Sequence, residues 1–239
     1  MNLDIGKAFT FVTEDPKWVT KVLIGGGLII AGFVTLIGWL FTLPVVGGYL
    51  VLLVRNVIAG QPQPLPEWDN WGERWMDGFK AWIVGLVYAI PGIVVSAIFN
   101  IPANILNRTS DSGVSGAGTL LSLTGGCINF IVGILVGLVL PIAIARYAVS
   151  SDIGNALQFG AVISTLRANP ATYVVIALLQ IFIVPILAGI GVIACFVGAA
   201  FTGFYAYLMV YHLYGQAHRL TQGASAGYGQ PPSQPSYPF

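Results

Sequence analysis

Residues 173–214 read YVVIALLQIFIVPILAGIGVIACFVGAAFTGFYAYLMVYHLY, without one Asp, Glu, Lys or Arg. A helix needs about 20 residues, rising about 1.5 Å each, to cross the roughly 30 Å hydrocarbon core of a bilayer. This run is long enough for two crossings, with a turn expected near Gly189 and Gly191. Three more apolar stretches, 22–54, 82–106 and 119–145, have the same character. Hydrophobic residues make up 56% of the 239 and charged residues 8%, against about 25% charged in soluble domains. Water cannot be the only solvent. The glycines and prolines lie largely inside these runs, where transmembrane helices tolerate them. The fold class is therefore all-α, a polytopic membrane helical bundle.

Stretch 22–54 is ambiguous on hydropathy, because 40–54 is short for a crossing and Arg55 follows at once. Pro44, Gly47 and Gly48 fit either a kink or a turn. An internal repeat decides. Residues 4–11, DIGKAFTF, recur at 152–159 as DIGNALQF, each copy followed by Pro16 or Pro170 just before Trp18 or Tyr173. From those aromatics 18–60 aligns without gaps on 173–215, with Gly48-Tyr49 opposite Gly203-Phe204 and Gly60-Gln61 opposite Gly215-Gln216. A hairpin in one copy implies a hairpin in the other.

Six spans follow, at 19–41, 43–59, 81–104, 119–146, 171–189 and 191–214. They place nine of the ten basic residues on one side, leaving only Arg108 on the other. Short cytoplasmic loops are enriched in Lys and Arg, so both termini are expected in the cytoplasm and the chain in the plasma membrane. Residues 1–17 carry Asp4, Lys7, Glu14 and Asp15 and no compact apolar core, unlike a signal peptide. Both copies start on the same side, which makes the repeat parallel. The expected division is 1–61 (repeat 1, an interfacial helix and two spans), 62–148 (a Pro/Trp-rich interfacial segment and two central spans), 149–217 (repeat 2) and 218–239 (a disordered Gly/Pro/Gln/Tyr-rich tail or docking peptide). Small residues four apart, Gly133 and Gly137, Ala194 and Gly198, and Ala199 and Gly203, are packing signals.

Three segments before spans have amphipathic helical spacing. Trp68, Trp71, Trp75, Met76 and Phe79 recur at intervals of three, four and seven, with Asp69, Asn70, Glu73, Arg74, Asp77 and Lys80 on the remaining face. Trp68, Trp71, Trp75 and Phe79 are expected to anchor that helix at headgroup level. Segments 3–13 and 152–166 are weaker versions. The run 60–81, with PLPEWDNW at 64–71 and DGFKA at 77–81, resembles an uncharacterised family of archaeal and bacterial multi-pass membrane proteins. Pro141 with Arg146-Tyr147-Ala148, Asn169-Pro170 with Tyr173, and Gly215-Gln216-Ala217 resemble its pattern too. The resemblance implies a prokaryotic membrane protein and carries no activity.

No catalytic, cofactor-binding or metal-ligating set emerges. His212 and His218 are six residues apart and do not share a helical face; they read as an interfacial cluster with Tyr211, Tyr214 and Arg219. Glu67 and Asp69 suit helix capping better than acid–base chemistry. Cys127 and Cys195 read as small buried hydrophobes. Asn107-Arg108-Thr109 is a glycosylation-type triplet close to the membrane. Net charge of +1 gives no reason to expect nucleic acid. In the middle regions of the spans what remains polar is Thr35, Ser96, Asn129 and Gln180, and Asn129 and Gln180 are the candidates for interhelical or pore-lining roles. Arg55 and Arg146 fit snorkelling span ends. The sequence thus points to a non-enzymatic accessory or organising subunit whose partners are the lipid bilayer and another membrane protein or further copies of itself. The alternative is a channel or carrier for a small neutral solute, favoured by the proline breaks at Pro44, Pro91, Pro141 and Pro185.

Overall fold

The computed structural model describes residues 3–35, 37–109, 111–193 and 197–226, and within them every regular element is an α-helix. Short α1 (Ile5–Thr10) leads into the hairpin of α2 (Trp18–Val34) and α3 (Trp39–Ile58). Two long helices follow, α4 (Trp71–Leu106) and α5 (Ser112–Ser150). Short α6 (Ile153–Ala156) and α7 (Phe159–Ala168) then lead into α8 (Pro170–Ile193) and α9 (Val197–Ala226). Four helices, α3, α4, α5 and α8, are long and apolar enough to cross a membrane, while α2 is a shorter apolar helix. The chain is built as an integral membrane protein.

The first apolar stretch is a hairpin, but its two helices end at Val34 and begin at Trp39. Pro44, Gly47 and Gly48 lie inside α3. A proline within a helix leaves the carbonyl four residues earlier without its donor, and the Trp75 indole Nε1 donates to that carbonyl, Leu40 O, at 3.3 Å. The expected turn at Gly189 and Gly191 is also helix. There a Cβ on Gly191 would stand 2.6 Å from the Ala199 backbone, so that glycine permits close approach of α8 and α9. Gly133 and Gly203, by contrast, have open space where a Cβ would point and mark no packing within the chain.

Other boundaries shift for identifiable reasons. No separate interfacial helix precedes the second apolar stretch: Trp71 to Lys80 are the opening turns of continuous α4, and Trp68 lies before it. At 36 residues and about 1.5 Å each, α4 is roughly 54 Å long and exceeds the bilayer core. The segment 152–166 breaks into α6 and α7 because Arg146 Nε donates to Asn155 O at 3.0 Å. That carbonyl would otherwise receive Phe159 N–H, which turns to Leu157 O instead. Asp4 and Asp152 cap the short helices alike, accepting from backbone N–H groups two or three residues on. Finally, α9 continues past Gly215 and His218 to Ala226, so the start of 218–239 is helix, not tail. Residues 227–239, with Ala194 and Cys195, lie outside the described residues.

In the packing α3 is central, lying against α2, α4, α9 and the C-terminal end of α5. Around it one apolar cluster joins Val51, Val54, Tyr88, Tyr147, Tyr173 and Leu213. The other joins Phe11, Val46, Tyr49, Leu53, Leu65 and Phe204. Both clusters lie toward one end of the bundle, at the N-terminal halves of α4 and α8, the end of α5, and along α3 and α9 from Val46 and Phe204 onward. Toward the other end large apolar side chains such as Ile98, Ile101, Leu120 and Leu123 are exposed, as lipid-facing residues are.

Candidate functional site

The packed end is closed by a strap, residues 60–70. Gly60, at φ 74°, ends α3 in the left-handed region, where a residue without Cβ is unstrained. Gly60 N–H bonds Val57 O and Gln61 N–H bonds Asn56 O, both at 3.0 Å, which satisfies two last-turn carbonyls. The strap then runs through Pro62, Pro64 and Pro66, which have no N–H to donate, so its backbone offers mainly acceptors. Three successive carbonyls are taken by three side chains. Asn56 Nδ2 donates to Pro64 O at 2.9 Å, Lys21 Nζ to Leu65 O at 3.1 Å, and Tyr49 OH to Pro66 O at 2.8 Å. Leu65 is buried, and the Trp68 ring stacks on Tyr49 with centroids 4.0 Å apart while its Nε1 donates to Lys21 O at 3.0 Å.

Lys21, 4% exposed, is tolerated because it is fully engaged. Its ammonium lies 2.7 Å from Asp15 and 3.2 Å from Glu67. Burial alone would raise the Asp15 carboxyl. The hydrogen bonds from Lys21 and from the Lys17 N–H outweigh it and hold the group below its ordinary 3.8. Glu67 also faces Lys17 at 3.7 Å, while Asp69 faces Arg74 at 3.6 Å. These two carboxylates serve different cations, and Asn70, not either of them, stands at the start of α4.

A second polar node ties α3, α4 and α5. Arg55 Nη1 donates to Asp77 Oδ2 at 2.6 Å, Nε to Ala148 O at 2.7 Å and Nη2 to Ser151 Oγ at 3.0 Å. Tyr147 OH donates to Asp77 Oδ1 at 3.3 Å. Arg55 is thus an interhelical clamp and not a free snorkelling end. On the opening turns of α4 two residues of the expected polar face turn inward, while Glu73 stays exposed. Arg74 and Asp77 are buried against protein, whereas Trp71 at 47% and Phe79 at 38% are exposed. Where lipid is the solvent, aromatic groups face outward and polar ones seek partners inside. Trp75 stacks on Phe79 at 5.1 Å; Trp68 belongs to the strap.

Asn129 and Gln180 do not converge. Asn129 Nδ2 donates to Ser96 Oγ at 2.5 Å, joining α5 to α4, and Gln180 accepts from Tyr214 OH at 2.6 Å, joining α8 to α9. His212 stacks on Phe11 at 4.1 Å and contacts Gln216, whereas His218 contacts Gln222. The two imidazoles line separate pockets of about 470 and 190 Å³. Cys127 is free and exposed, contrary to a buried role. No group of three His, Cys, Asp or Glu able to hold a metal occurs among the described residues.

Sequence reasoning missed Lys21, Tyr49, Asp77 and Tyr147 as the partners that organise this end. One signal was available: Lys21 is a lone charge entering an apolar helix, six residues after Asp15. No curated protein and no solved structure matches the chain. The family resemblance carried by 60–81 holds: with residues 19–212 matched by the model of the family described as "Protein of unknown function (DUF4013)", the chain belongs to that family.

Proposed function

We propose that the chain is a non-enzymatic, six-span protein of the plasma membrane, both termini cytoplasmic, which accompanies or organises other membrane proteins through its helix surfaces. The observation that carries this reading is the contrast between its two ends. At the strap end Lys21, Tyr49, Arg55 and Tyr147 are spent on strap carbonyls and on Asp77, across α2, α3, α4 and α5. At the other end the α4–α5 hairpin exposes Ile98, Ile101, Leu120, Leu123 and Phe130, and beside it the Ser96–Asn129 pair lines an open groove with Gly92 and Gly133. A surface of that kind is suited to lipid and to another helix.

Three hairpins, α2–α3, α4–α5 and α8–α9, support six spans, and the one-sided distribution of basic residues supports the orientation. Tyr49 and Phe204, opposite each other in the repeat, touch with centroids 5.9 Å apart, as an axis passing between two parallel copies requires. Exposed Trp71 and Phe79 support anchoring at headgroup depth. A non-catalytic role is supported by the commitment of Glu67 and Asp69 to separate cations. The channel or carrier alternative draws on proline-broken helices, but Pro44, Pro91, Pro141 and Pro185 lie inside unbroken ones.

The test is extraction of the full chain from its membrane in polymer nanodiscs, with mass and composition measured on the intact particles. A companion or further copies in fixed stoichiometry are expected. A lone monomer that also passes a small neutral solute into proteoliposomes would overturn the reading.

A further inference from the structure

The end of α5, the C-terminal turn of α7 and the last turns of α9 enclose a pocket of about 190 Å³, lined by Arg146, Thr165, Asn169, His218 and Gln222 among others. No Asp or Glu lines it. Arg146 has no carboxylate partner among the described residues, and its hydrogen bonds go to neutral oxygens. Nε donates to Asn155 O at 3.0 Å, and Nη2 donates to Asn155 Oδ1 at 2.5 Å and Gln158 Oε1 at 2.8 Å. A guanidinium has five N–H donors, so the two on Nη1 remain without a protein acceptor among the described residues. The Asn169 side-chain amide makes no hydrogen bond there either, and Gln222 Nε2 uses one contact, with His218 Nε2 at 2.9 Å. The Thr165 and Thr221 hydroxyls donate instead to Ala161 O and His218 O.

A half-buried cation facing a pocket of unspent donors and no acid leaves net positive charge there, to which a small anion is complementary. Burial, and then the Arg146 charge, hold the His218 imidazole below its ordinary 6.5. His218 is therefore neutral near pH 7, and Arg146 supplies the pocket's positive charge. The volume falls short of the roughly 300–1,000 Å³ of pockets that take drug-sized ligands, so the occupant is a single small group.

We propose that this pocket binds an oxyanion of phosphate type, with Arg146 Nη1 as the charged donor and the Asn169 and Gln222 amides completing its shell. Guanidinium–phosphate pairs are among the strong charge-assisted hydrogen bonds. A lipid phosphomonoester headgroup is one source, since amphipathic α7 lines the pocket while exposing Phe159 and Ile163. Free phosphate is the other. The inference does not rest on the organising role proposed above.

The test follows thermal unfolding of the full chain in a neutral maltoside detergent. One arm titrates inorganic phosphate against chloride at constant ionic strength, and the other titrates short-chain phosphatidic acid against phosphatidylcholine. A saturable rise in the unfolding midpoint is expected in at least one arm. Phosphate alone identifies a free anion as sufficient, and a response to phosphatidic acid only identifies a headgroup. Arg146→Gln and Asn169→Ala should each weaken half-saturation about tenfold or more, while Arg167→Gln, exposed on α7 and outside the pocket, should respond as the unaltered chain does. If Arg146→Gln fails to fold, Asn169→Ala decides, because its side chain makes no hydrogen bond among the described residues. No saturable response in either arm, or an unchanged response in Asn169→Ala, overturns the proposal.

Discussion

Gly48 and Gly203 stand opposite each other in the alignment of 18–60 with 173–215, yet one is covered and the other is open. A Cβ on Gly48 would come within 1.9 Å of Arg74 O, and a Cβ on Gly78 within 1.7 Å of Pro44 O, so α3 and α4 meet backbone to backbone. Around Gly203 there is nothing within 4 Å of that position. The same inequality recurs along the alignment. Lys21, with its carboxylates, is matched by Ile176, which is buried in apolar packing. Arg55, with Asp77, is matched by buried Val210. Gly60 ends its helix, whereas Gly215 lies inside α9, where a Cβ would meet Val57 at 2.6 Å. The aligned positions are thus built differently. The first segment carries polar attachments because it holds the strap and α4, and the second is packed by apolar contact at the matched positions.

The comparison can be broken most forcefully at the glycines. Gly48→Ala and Gly78→Ala drive a Cβ into backbone and should cost about 3 kcal/mol or more or abolish folding, read as loss of a monodisperse peak in detergent. Gly203→Ala should leave the unfolding midpoint unchanged or raise it, by up to about 1 kcal/mol from helix propensity. Equal damage at Gly48 and Gly203 would end the distinction. Next in size, Asp77→Ala strands Arg55 and should cost about 3 kcal/mol, measured by chemical unfolding in micelles. A smaller loss is expected in acid. The Asp15 carboxyl is held below 3.8 by the folded state, so its contribution is complete above that value and disappears as pH falls through the depressed one. Asp15→Asn should flatten this part of the pH–midpoint curve. Smallest is Tyr49→Phe, which leaves Pro66 O without its donor and should cost about 1 kcal/mol. The aligned position is already Phe204.

The helical class and the hairpins were legible because long apolar runs and a gapless alignment have few other physical solutions. The turns were not, since proline and glycine signal turns in water but are accommodated within membrane helices. Trp75 shows how, by supplying a donor to the carbonyl that Pro44 frees. The inward turn of Arg74 and Asp77 was hidden for the same reason: the polar-outward rule assumes a water-facing side, and these two face protein. The Pro64-Leu65-Pro66 run was visible as a hallmark, but its partners Lys21, Tyr49 and Asn56 lie up to 44 positions away, and no local spacing connects them. Arg146 read as a span end, because its pocket is built from α7 and α9, far along the chain.

The strap also imposes an order on biosynthesis. Asn56, Lys21 and Tyr49 all precede the carbonyls that accept from them, so while α2 and α3 are being made these side chains have no strap to bond. The first hairpin is therefore unfinished when it leaves the ribosome. It must wait with a lysine and a tyrosine hydroxyl at its packed end until residues 64–68 arrive. Truncation before Pro64 should leave that hairpin a client of the insertion and quality-control machinery, while release after Trp68 closes it with its own backbone.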